Sequence, residues 1–305
     1  MSIFCIGQAA YDMTVSYSGP LVANGKYRVE QSNGCAGAPA LNGACLCSLW
    51  GADAQLMARI GDDPYGALVH ADLQRCGVKT DYLIPDASTT TSYSMIAVDD
   101  ETGDRLIFNF PSKVHEVEPL LPSERPDVVL TDGHEAAATL AVLEAYPDVP
   151  SVVDAGTYRE DTYEAARAVD YVVCSEDFAR QYTGSSLEDA EDYAKVDWLL
   201  SQIESINGGV AVITLGHRGL VFRNEKGDPQ HMPAFKARAV DTTGAGDIFH
   251  GAFAFGLWQG LSLEENLRQC SMAAALSVQR MGGLSSIPTL EEVKRALISP
   301  PPYNH

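Results

Sequence analysis

The sequence predicts an α/β fold in which a doubly wound, mostly parallel β-sheet is flanked by helices. Two observations favour this fold. Short apolar runs alternate with longer helical segments from residue 128 to residue 215, and an apolar, strand-like run already stands at residues 2–6. Because parallel strands are joined by crossover helices, this rhythm predicts a doubly wound sheet.

Two other segments, at about residues 13–33 and 88–112, alternate weakly between polar and apolar side chains. This pattern predicts exposed hairpin strands. No repeat, low-complexity segment or linker separates these segments from the rest of the chain. We therefore expect a single α/β domain over residues 1–305 that carries two β-type insertions.

Each element has a local signal. The first strand is closed by Gly7, and a helix at residues 67–76 is stopped by Gly77, a typical residue after a helix end. Further strands are predicted at residues 55–60, 89–98, 105–110, 128–131, 151–154, 171–174 and 210–215. Further helices are predicted for the apolar run that ends at Trp50 and for residues 136–145, 163–168, 187–204 and 248–257. Three prolines at residues 300–302 indicate a frayed tail.

Charge and cysteine content narrow the function classes. The formal net charge is −20 and the pI is about 4.6, which disfavours nucleic acid and anionic membranes as partners. No apolar run is long enough to span a membrane. The seven scattered cysteines form no CxxC pair and no zinc-binding spacing, which predicts a reduced, cytoplasmic protein.

The most informative segment is the glycine-rich run from Asp241 to Asp247, which precedes an apolar helix. Gly244, Ala245 and Gly246 let backbone N–H groups converge at the helix start, where an anion is favoured. Asp247 lies at the mouth of this site. An anion hole beside a carboxylate suits phosphoryl transfer to a hydroxyl group, because the carboxylate accepts the hydroxyl proton. The alternative is a helix cap and a simple turn.

Several polar residues lie where α/β proteins bind ligands. Asp12 follows the first strand, and a turn cap is the alternative explanation. Gly37 and Ala38 indicate close backbone approach to a substrate, and Asn42 is placed to bond a hydroxyl group. A tightly packed helix start would also explain these three residues.

Asn109 lies within an apolar strand, so a substrate contact and a backbone contact are both open. Lys26 is among the cations nearest the two insertions, and a solvated face is its default explanation. Thr214, Gly216 and Gly219 form a TxGxxG loop after a strand, which alone is a weak sign of phosphate binding. There is no GxxxxGK[ST] motif and no GxGxxG after the first strand, so P-loop and dinucleotide-binding functions are disfavoured.

The run from Asp241 to Asp247, with Phe249 and Gly251 after it, closely resembles the C-terminal signature of the PfkB/ribokinase family of small-molecule kinases. The similarity extends from about Ile3 to Pro288. It implies that Asp247 is the catalytic base and that the backbone of residues 244–246 forms the anion hole. The substrate-binding residues that it implies are Asp12, Gly37, Ala38, Asn42, Lys26 and Asn109.

The same resemblance implies ATP and Mg²⁺, with K⁺ as a further ion. The implied nucleotide-binding residues are Thr214, Gly216, Gly219, Ser175 and Gly283, and Asp241 with Thr243 would hold a monovalent cation. Residues 175–178 stand in place of the family's NxxE motif, but both consensus residues are absent. The ligands of Mg²⁺ therefore remain open.

In this family the two β-type insertions form a small lid over the sugar, often paired between subunits, which implies a homodimer. The segments around Lys26, Asn109 and residues 230–252 look most like ketohexose kinases, including those for sulfofructose. The expected substrate is therefore a ketohexose or a C6-modified ketohexose, phosphorylated on a primary hydroxyl group. A nucleoside kinase of the same fold and a non-catalytic sugar sensor are the alternatives.

Overall fold

The computed structural model describes residues 2–29, 32–99, 101, 105–112 and 120–304 of the chain. These residues form a nine-stranded sheet with helices on both faces and a separate four-stranded sheet. The α/β architecture predicted from the sequence is confirmed.

The strands are, in chain order, β1 (Ser2–Ile6), β2 (Ala10–Tyr17), β3 (Ser32–Gly37), β4 (Asp53–Gly61), β5 (Leu83–Asp86), β6 (Ser92–Asp99), β7 (Arg105–Phe110), β8 (Val128–Thr131), β9 (Ser151–Ala155), β10 (Tyr171–Ser175), β11 (Val210–Thr214), β12 (Leu220–Arg223) and β13 (Pro229–Met232). The α-helices are α1 (Pro39–Leu49), α2 (Pro64–Cys76), α3 (Ala136–Ala145), α4 (Glu160–Ala168), α5 (Glu176–Thr183), α6 (Tyr193–Glu204), α7 (Ala245–Gln259), α8 (Leu263–Ser277) and α9 (Leu290–Ile298). Short 3₁₀ turns lie at Gly216–Arg218 and Gly283–Ser286.

The large sheet has the strand order β13-β12-β11-β10-β9-β8-β1-β4-β5. The neighbouring pairs from β11 to β5 are parallel, whereas β12 and β13 are antiparallel additions at one edge. From β1 the chain moves to β4 on one side, and from β8 it continues to β11 on the other. The strand order therefore reverses between β1 and β8, and such sheets bind ligands beyond the carboxyl ends of the strands near this reversal.

Helices α1, α7 and α8 pack together on one face of the large sheet, and α3, α4 and α6 cover the other. Gly43 and Gly251 meet where α1 and α7 cross, since a Cβ atom on Gly251 would come within 2.8 Å of the Gly43 Cα. The two glycines let these helices approach closely, which brings Asn42 of α1 against the first turn of α7. Within the described ranges, no helix is long and apolar enough to cross a membrane.

The small sheet has the strand order β3-β2-β6-β7, in which only the β2–β6 pair is parallel. Its register places Asp12, Ser94 and Asn109 side by side on β2, β6 and β7. Paired residues of neighbouring strands point to the same face, so these three polar side chains form a row. The preceding row, on the opposite face, includes Tyr93 and Phe110, whose stacked rings have centroids 4.4 Å apart.

The first insertion differs from its predicted form. Its second strand begins at Ser32 and not near Tyr27, where the weak alternation suggested it. The Tyr27 hydroxyl group accepts the N–H group of Val22 at 2.6 Å and donates to the Pro20 carbonyl at 3.0 Å. These bonds close a local loop, which takes the place of a strand.

The helix predicted at residues 187–204 begins only at Tyr193. The Asp192 side chain accepts the N–H group of Lys195 and so caps the helix at that point. Helices α5, α8 and α9 and strands β5, β12 and β13 were not predicted. The three strands have four residues each and are too short for a clear periodic signal.

Candidate active site

Helix α7 begins at the glycine-rich segment, with Gly244 at its N-cap position and a φ of 76°. This left-handed conformation favours glycine. A Cβ atom on Gly246 would meet nothing within 4 Å, so this residue leaves an open hollow before the helix. The N–H group of Ala245 already donates to the Thr242 carbonyl at 3.3 Å. Among the described residues, no backbone acceptor is recorded for the N–H groups of Gly246 and Asp247, and free N–H groups in the first turn of a helix favour an anion.

Asp247 is half-buried in this first turn, and its Oδ2 accepts a hydrogen bond from the Nδ2 of Asn42 at 2.6 Å. Burial is the main influence that raises the pKa of Asp247, and the nearby Asp154 raises it further. The hydrogen bond from Asn42 and the charge of His250 lower it, and the resulting pKa is about 7. A carboxyl group that titrates near neutral pH suits a general base.

Asn42 lies in the first turn of α1, a helix that begins directly after a strained residue. Ala38, the N-cap residue of α1, has a φ of 106° and a ψ of 153°, a region almost reserved for glycine. Such strain costs roughly 1–3 kcal/mol and persists where the surrounding structure fixes it. The Oδ1 atom of Asn42 is buried and has no hydrogen-bond partner among the described residues. A hydroxyl group of a ligand would satisfy this acceptor beside Asp247.

Asp12 lies on β2 opposite the end of β3. A Cβ atom on Gly37 would overlap the Oδ2 of Asp12, so the glycine gives the carboxylate its room. Burial raises the pKa of Asp12, and a hydrogen bond from Ser94 partly offsets this effect. Asn109 is exposed at the end of the same row. Lys26 is exposed in the loop after β2, and no described contact joins it to this row.

A cavity of about 380 Å³ lies between α7, α8 and the loop after β11. Three of the predicted nucleotide-binding residues line it, namely Thr214, Gly216 and Gly219. Its apolar wall includes Ala234, Phe235, Ala239, Phe249, Ala274 and Val278. Because Gly246 also lines it, the cavity continues into the hollow at the start of α7. An apolar pocket that leads to an anion-binding helix end fits a nucleotide.

The C-terminal segment forms part of this cavity, so the predicted frayed tail is wrong. The N–H group of Lys236 donates to the Pro302 carbonyl at 2.8 Å, and Tyr303 stacks on Phe235 with ring centroids 4.9 Å apart. The next residue, Asn304, lines the cavity. These contacts join residues that are distant in the sequence, and three consecutive prolines give no sign of them.

The model for pfkB family carbohydrate kinases matches residues 1–290. The chain belongs to the pfkB family. It is 27% identical to the ribokinase of Bacillus subtilis (strain 168) over 271 residues, which cover 86% of this chain and 87% of that protein.

Solved structures agree with this assignment. A putative ribokinase from Agrobacterium tumefaciens superposes with a TM-score of 0.87 at 27% identity, over 97% of both chains. The ribokinase of Arabidopsis thaliana in complex with ribose and ATP has a TM-score of 0.80 at 23% identity, over 97% of this chain and 98% of that one, and supports the fold alone. As a pfkB family carbohydrate kinase, this chain is a phosphotransferase that uses an alcohol group as acceptor.

Two residues that the family pattern assigned to the nucleotide lie outside the cavity lining. The hydroxyl group of Ser175 accepts the N–H group of Phe178 at 3.0 Å and donates to the Gly156 carbonyl at 2.7 Å, so it caps α5. Gly283 lies against the small sheet, since a Cβ atom there would overlap the Sγ of Cys35 on β3.

The acidic residues after Ser175 are paired with arginines. Glu176 forms an ion pair with Arg218, and Asp177 forms one with Arg180 at 2.9 Å. Within the part of the chain that the structure describes, no three His, Cys, Asp or Glu side chains form a group that could hold a metal ion.

The residues predicted to bind a monovalent cation lie close together. Oδ1 of Asp241 accepts the N–H group of Thr243 at 2.8 Å, and Oδ2 accepts the N–H group of Gly282 at 2.8 Å. The Asp241 carboxylate thus joins the loop before α7 to the 3₁₀ turn that begins at Gly283.

Sequence analysis did not identify three polar residues at this edge of the sheet. Asp132 follows β8 and Asp154 is the last residue but one of β9, so the strand-end rule that selected Asp12 would also have found them. His250 lies one helical turn after Asp247, on the same side of α7. A polar residue within the apolar helix run was the available signal for it.

Proposed function

We propose that this pfkB family member transfers the γ-phosphoryl group of ATP to a primary hydroxyl group of a small sugar, with Asp247 as the general base. The position of Asp247 is the observation that carries this proposal. It lies at the N-terminus of α7, between the cavity that Gly246 helps to line and the polar start of α1 at Asn42.

In this scheme Asp247 takes the proton of the sugar hydroxyl group. The hydroxyl oxygen bonds to the γ-phosphorus while the bond from that phosphorus to its bridging oxygen breaks, and ADP leaves. The N–H groups of Gly246 and Asp247 stabilise the negative charge on the transferred group. Gly244 and Ala245 shape the loop that presents them. Bound Mg²⁺ would neutralise charge on the phosphates of ATP.

The nucleotide would occupy the cavity of about 380 Å³, with its base on the apolar wall and its phosphates toward Gly246. Thr214, Gly216 and Gly219 lie on this path and are the polar loop contacts that we assign to ATP. Ser175 and Gly283 would contribute indirectly, through the end of β10 and through β3. We retain Asp241 and Thr243 as a proposed K⁺ site, to be tested by activity in potassium and in sodium salts.

The sugar would bind on the side of α1 and β2. Asn42 offers an unpaired buried acceptor, and Asp12 offers a half-buried carboxylate beside Gly37. Hydroxyl groups are the natural donors to both. The strained backbone of Ala38 lies between these two residues in the chain and would contact the sugar directly. Asn109 and Lys26 remain proposed contacts for the distal end of the substrate.

The size and charge of the sugar are the finer part of the proposal. The segments around Lys26 and Asn109 favour a ketohexose or a C6-modified ketohexose such as sulfofructose. The similar proteins are named ribokinases, which makes ribose the competing substrate. A nucleoside is the third candidate substrate class. Space for a nucleobase beyond the row formed by Asp12, Ser94 and Asn109 would favour it.

We further propose that the small sheet covers the sugar and pairs with its counterpart in a homodimer. Exposed apolar side chains concentrate on it, among them Met95, Leu106, Ile107, Phe108 and Phe110. Exposed apolar sheet surface of this kind favours association. A reduced, cytoplasmic setting is also proposed, since the seven cysteines are all free.

The test is ADP release from Mg-ATP with fructose, sulfofructose, ribose, tagatose, adenosine and inosine. Asp247→Asn should lower kcat by a factor of about 10³ or more, while sugar and nucleotide still bind in calorimetry. Asp148→Asn removes a carboxylate that is 75% exposed and far from this edge, and serves as the matched control.

Turnover with a single sugar that survives Asp148→Asn and is lost in Asp247→Asn would support the base assignment. Equal turnover in both variants would exclude it. Binding of a sugar without turnover of any compound would favour a sensor over an enzyme.

A further inference from the structure

His250 is buried in α7, one turn after Asp247, and its ring is surrounded by hydrogen-bond acceptors. The Nδ1 atom lies 2.6 Å from the Gly246 carbonyl oxygen and 3.0 Å from Oδ2 of Asp154. The Nε2 atom lies 3.0 Å from the carbonyl oxygen of Val173. The side chains of His250 and Asp154 are only 5% and 7% exposed, so water contributes little to either.

A neutral imidazole carries one N–H group, so one ring nitrogen would present a lone pair to a carbonyl oxygen. Two acceptors facing each other in a buried site are costly. Only the imidazolium form donates from both nitrogens, and the Asp154 carboxylate balances its charge. Burial opposes protonation, but Asp154 and the two carbonyl groups prevail and raise the pKa of His250 to about 9.

The contact with Gly246 has a geometric consequence. The carbonyl of Gly246 and the N–H group of Asp247 belong to one planar peptide and point in opposite directions. By holding that carbonyl toward the interior, His250 directs the N–H group of Asp247 toward the hollow in front of α7. The same contact fixes the start of the helix from which the Asp247 side chain projects.

The charge has an electrostatic consequence. Two carboxylates act on Asp247 from the sheet, Asp154 on β9 and Asp132 after β8, and both disfavour its ionised form. The charge of His250 acts in the opposite direction and lowers the pKa of Asp247. The helices packed on α7 present neutral groups to that helix. These are the Asn42 amide and the Cys47 thiol of α1 and the Asn266 amide of α8.

We propose that His250 is a positioning residue for phosphoryl transfer, which is kept positively charged by Asp154 and the carbonyls of Gly246 and Val173. It aims the first turn of α7 and supplies the positive charge that lets Asp247 ionise in a site with two further carboxylates. This inference rests on the proposed role of Asp247 as the base.

The first experiment does not depend on activity. Nitrogen NMR of the ring, assigned by the signal lost in a His250 variant, reports whether both ring nitrogens carry protons. We expect an imidazolium at neutral pH that loses its proton only near pH 9. A neutral ring at neutral pH would overturn the inference, whether or not a sugar is phosphorylated.

The second experiment follows the acidic limb of kcat/KM against pH in His250→Asn and in the double variant His250→Asn with Asp154→Asn. Loss of the imidazolium leaves Asp154 unbalanced, so the limb should move to higher pH by about one unit or more. Removing Asp154 as well should return it toward the wild-type position.

A merely structural role would lower kcat in both variants without this shift and its reversal, and that pattern would overturn the inference. Where His250→Asn does not fold, His250→Gln takes its place. If the wild type turns over no sugar at all, the proposed function fails, and the NMR result still decides the charge of His250 separately.

Discussion

Replacing Asp247 by asparagine should stabilise the folded protein while it abolishes phosphoryl transfer. Asparagine has the same shape as aspartate and still accepts the hydrogen bond from Asn42, which is 2.6 Å long in the wild type. It carries no charge into a site that already contains Asp154 and Asp132. The gain in stability should therefore grow with pH, because only the wild-type residue ionises.

The magnitude follows from the pKa of Asp247, which rises from an ordinary 3.8 to about 7 in the folded state. Each pKa unit is worth about 1.4 kcal/mol, so full ionisation costs the folded state up to about 4 kcal/mol. A group with a raised folded pKa stabilises the protein fully below 3.8, and that contribution is lost as the pH rises through about 7. At about pH 5 the loss is about 1–2 kcal/mol and at about pH 8 it is nearly complete.

Water reaches the half-buried side chain and screens part of this effect. We therefore expect the advantage of Asp247→Asn to increase by about 1–2 kcal/mol between about pH 5 and about pH 8. Urea unfolding of both proteins at the two pH values measures it, and Asp148→Asn is the control for a surface carboxylate. An advantage that is the same at both pH values would refute the charge argument.

Ala38→Gly should raise the free energy of unfolding by about 1 kcal/mol, measured by urea unfolding, because glycine relieves the strain at a φ of 106°. Deleting residues 300–305 should raise the KM for ATP several-fold and leave that for the sugar unchanged, because Asn304 lines the proposed nucleotide cavity and Tyr303 stacks on Phe235 in its wall. Equal effects on both KM values would contradict this. Phe108→Asp should convert a dimer to monomers in analytical ultracentrifugation, because this side chain is 59% exposed on the small sheet, whereas Trp198→Asp on α6 should not.

The parts of the fold that the sequence predicts are those with a local signal. Val128–Thr131 precedes α3 and Val210–Thr214 follows α6, and both are short apolar runs. Burial on both faces of a parallel sheet demands such runs. The parallel pairing of β2 with β6 has no comparable signal. It joins strands separated by most of the first third of the chain, and register between distant strands depends on packing that the local sequence does not encode.

The site divides in the same way. The glycine-rich motif locates Asp247, Gly244 and Gly246 because a left-handed N-cap and an open hollow require particular residue types. The sequence identifies Asn42 as a substrate-binding candidate but not as the partner of Asp247. That contact depends on how closely Gly43 and Gly251 let α1 and α7 approach each other. Ser175 has a motif position, yet its hydroxyl group is already engaged by the backbone.

Asp132, Asp154 and Asp247 influence one another at the carboxyl edge of the sheet, and their partners decide which one can accept a proton. Asp132 accepts the N–H groups of Gln8 and Ala40 and pairs with His134, and although burial works against its charge these contacts hold its pKa below the ordinary value. Asp154 is committed to His250. Among the described residues, the Asp247 side chain accepts one recorded hydrogen bond, from the neutral Asn42 amide, and it is half-buried. Asp132 is too weak a base because its contacts stabilise its ionised form, and Asp154 is held in a buried ion pair that a substrate cannot reach. Asp247, whose ionised form is the least stabilised of the three, is therefore the one suited to act as a base.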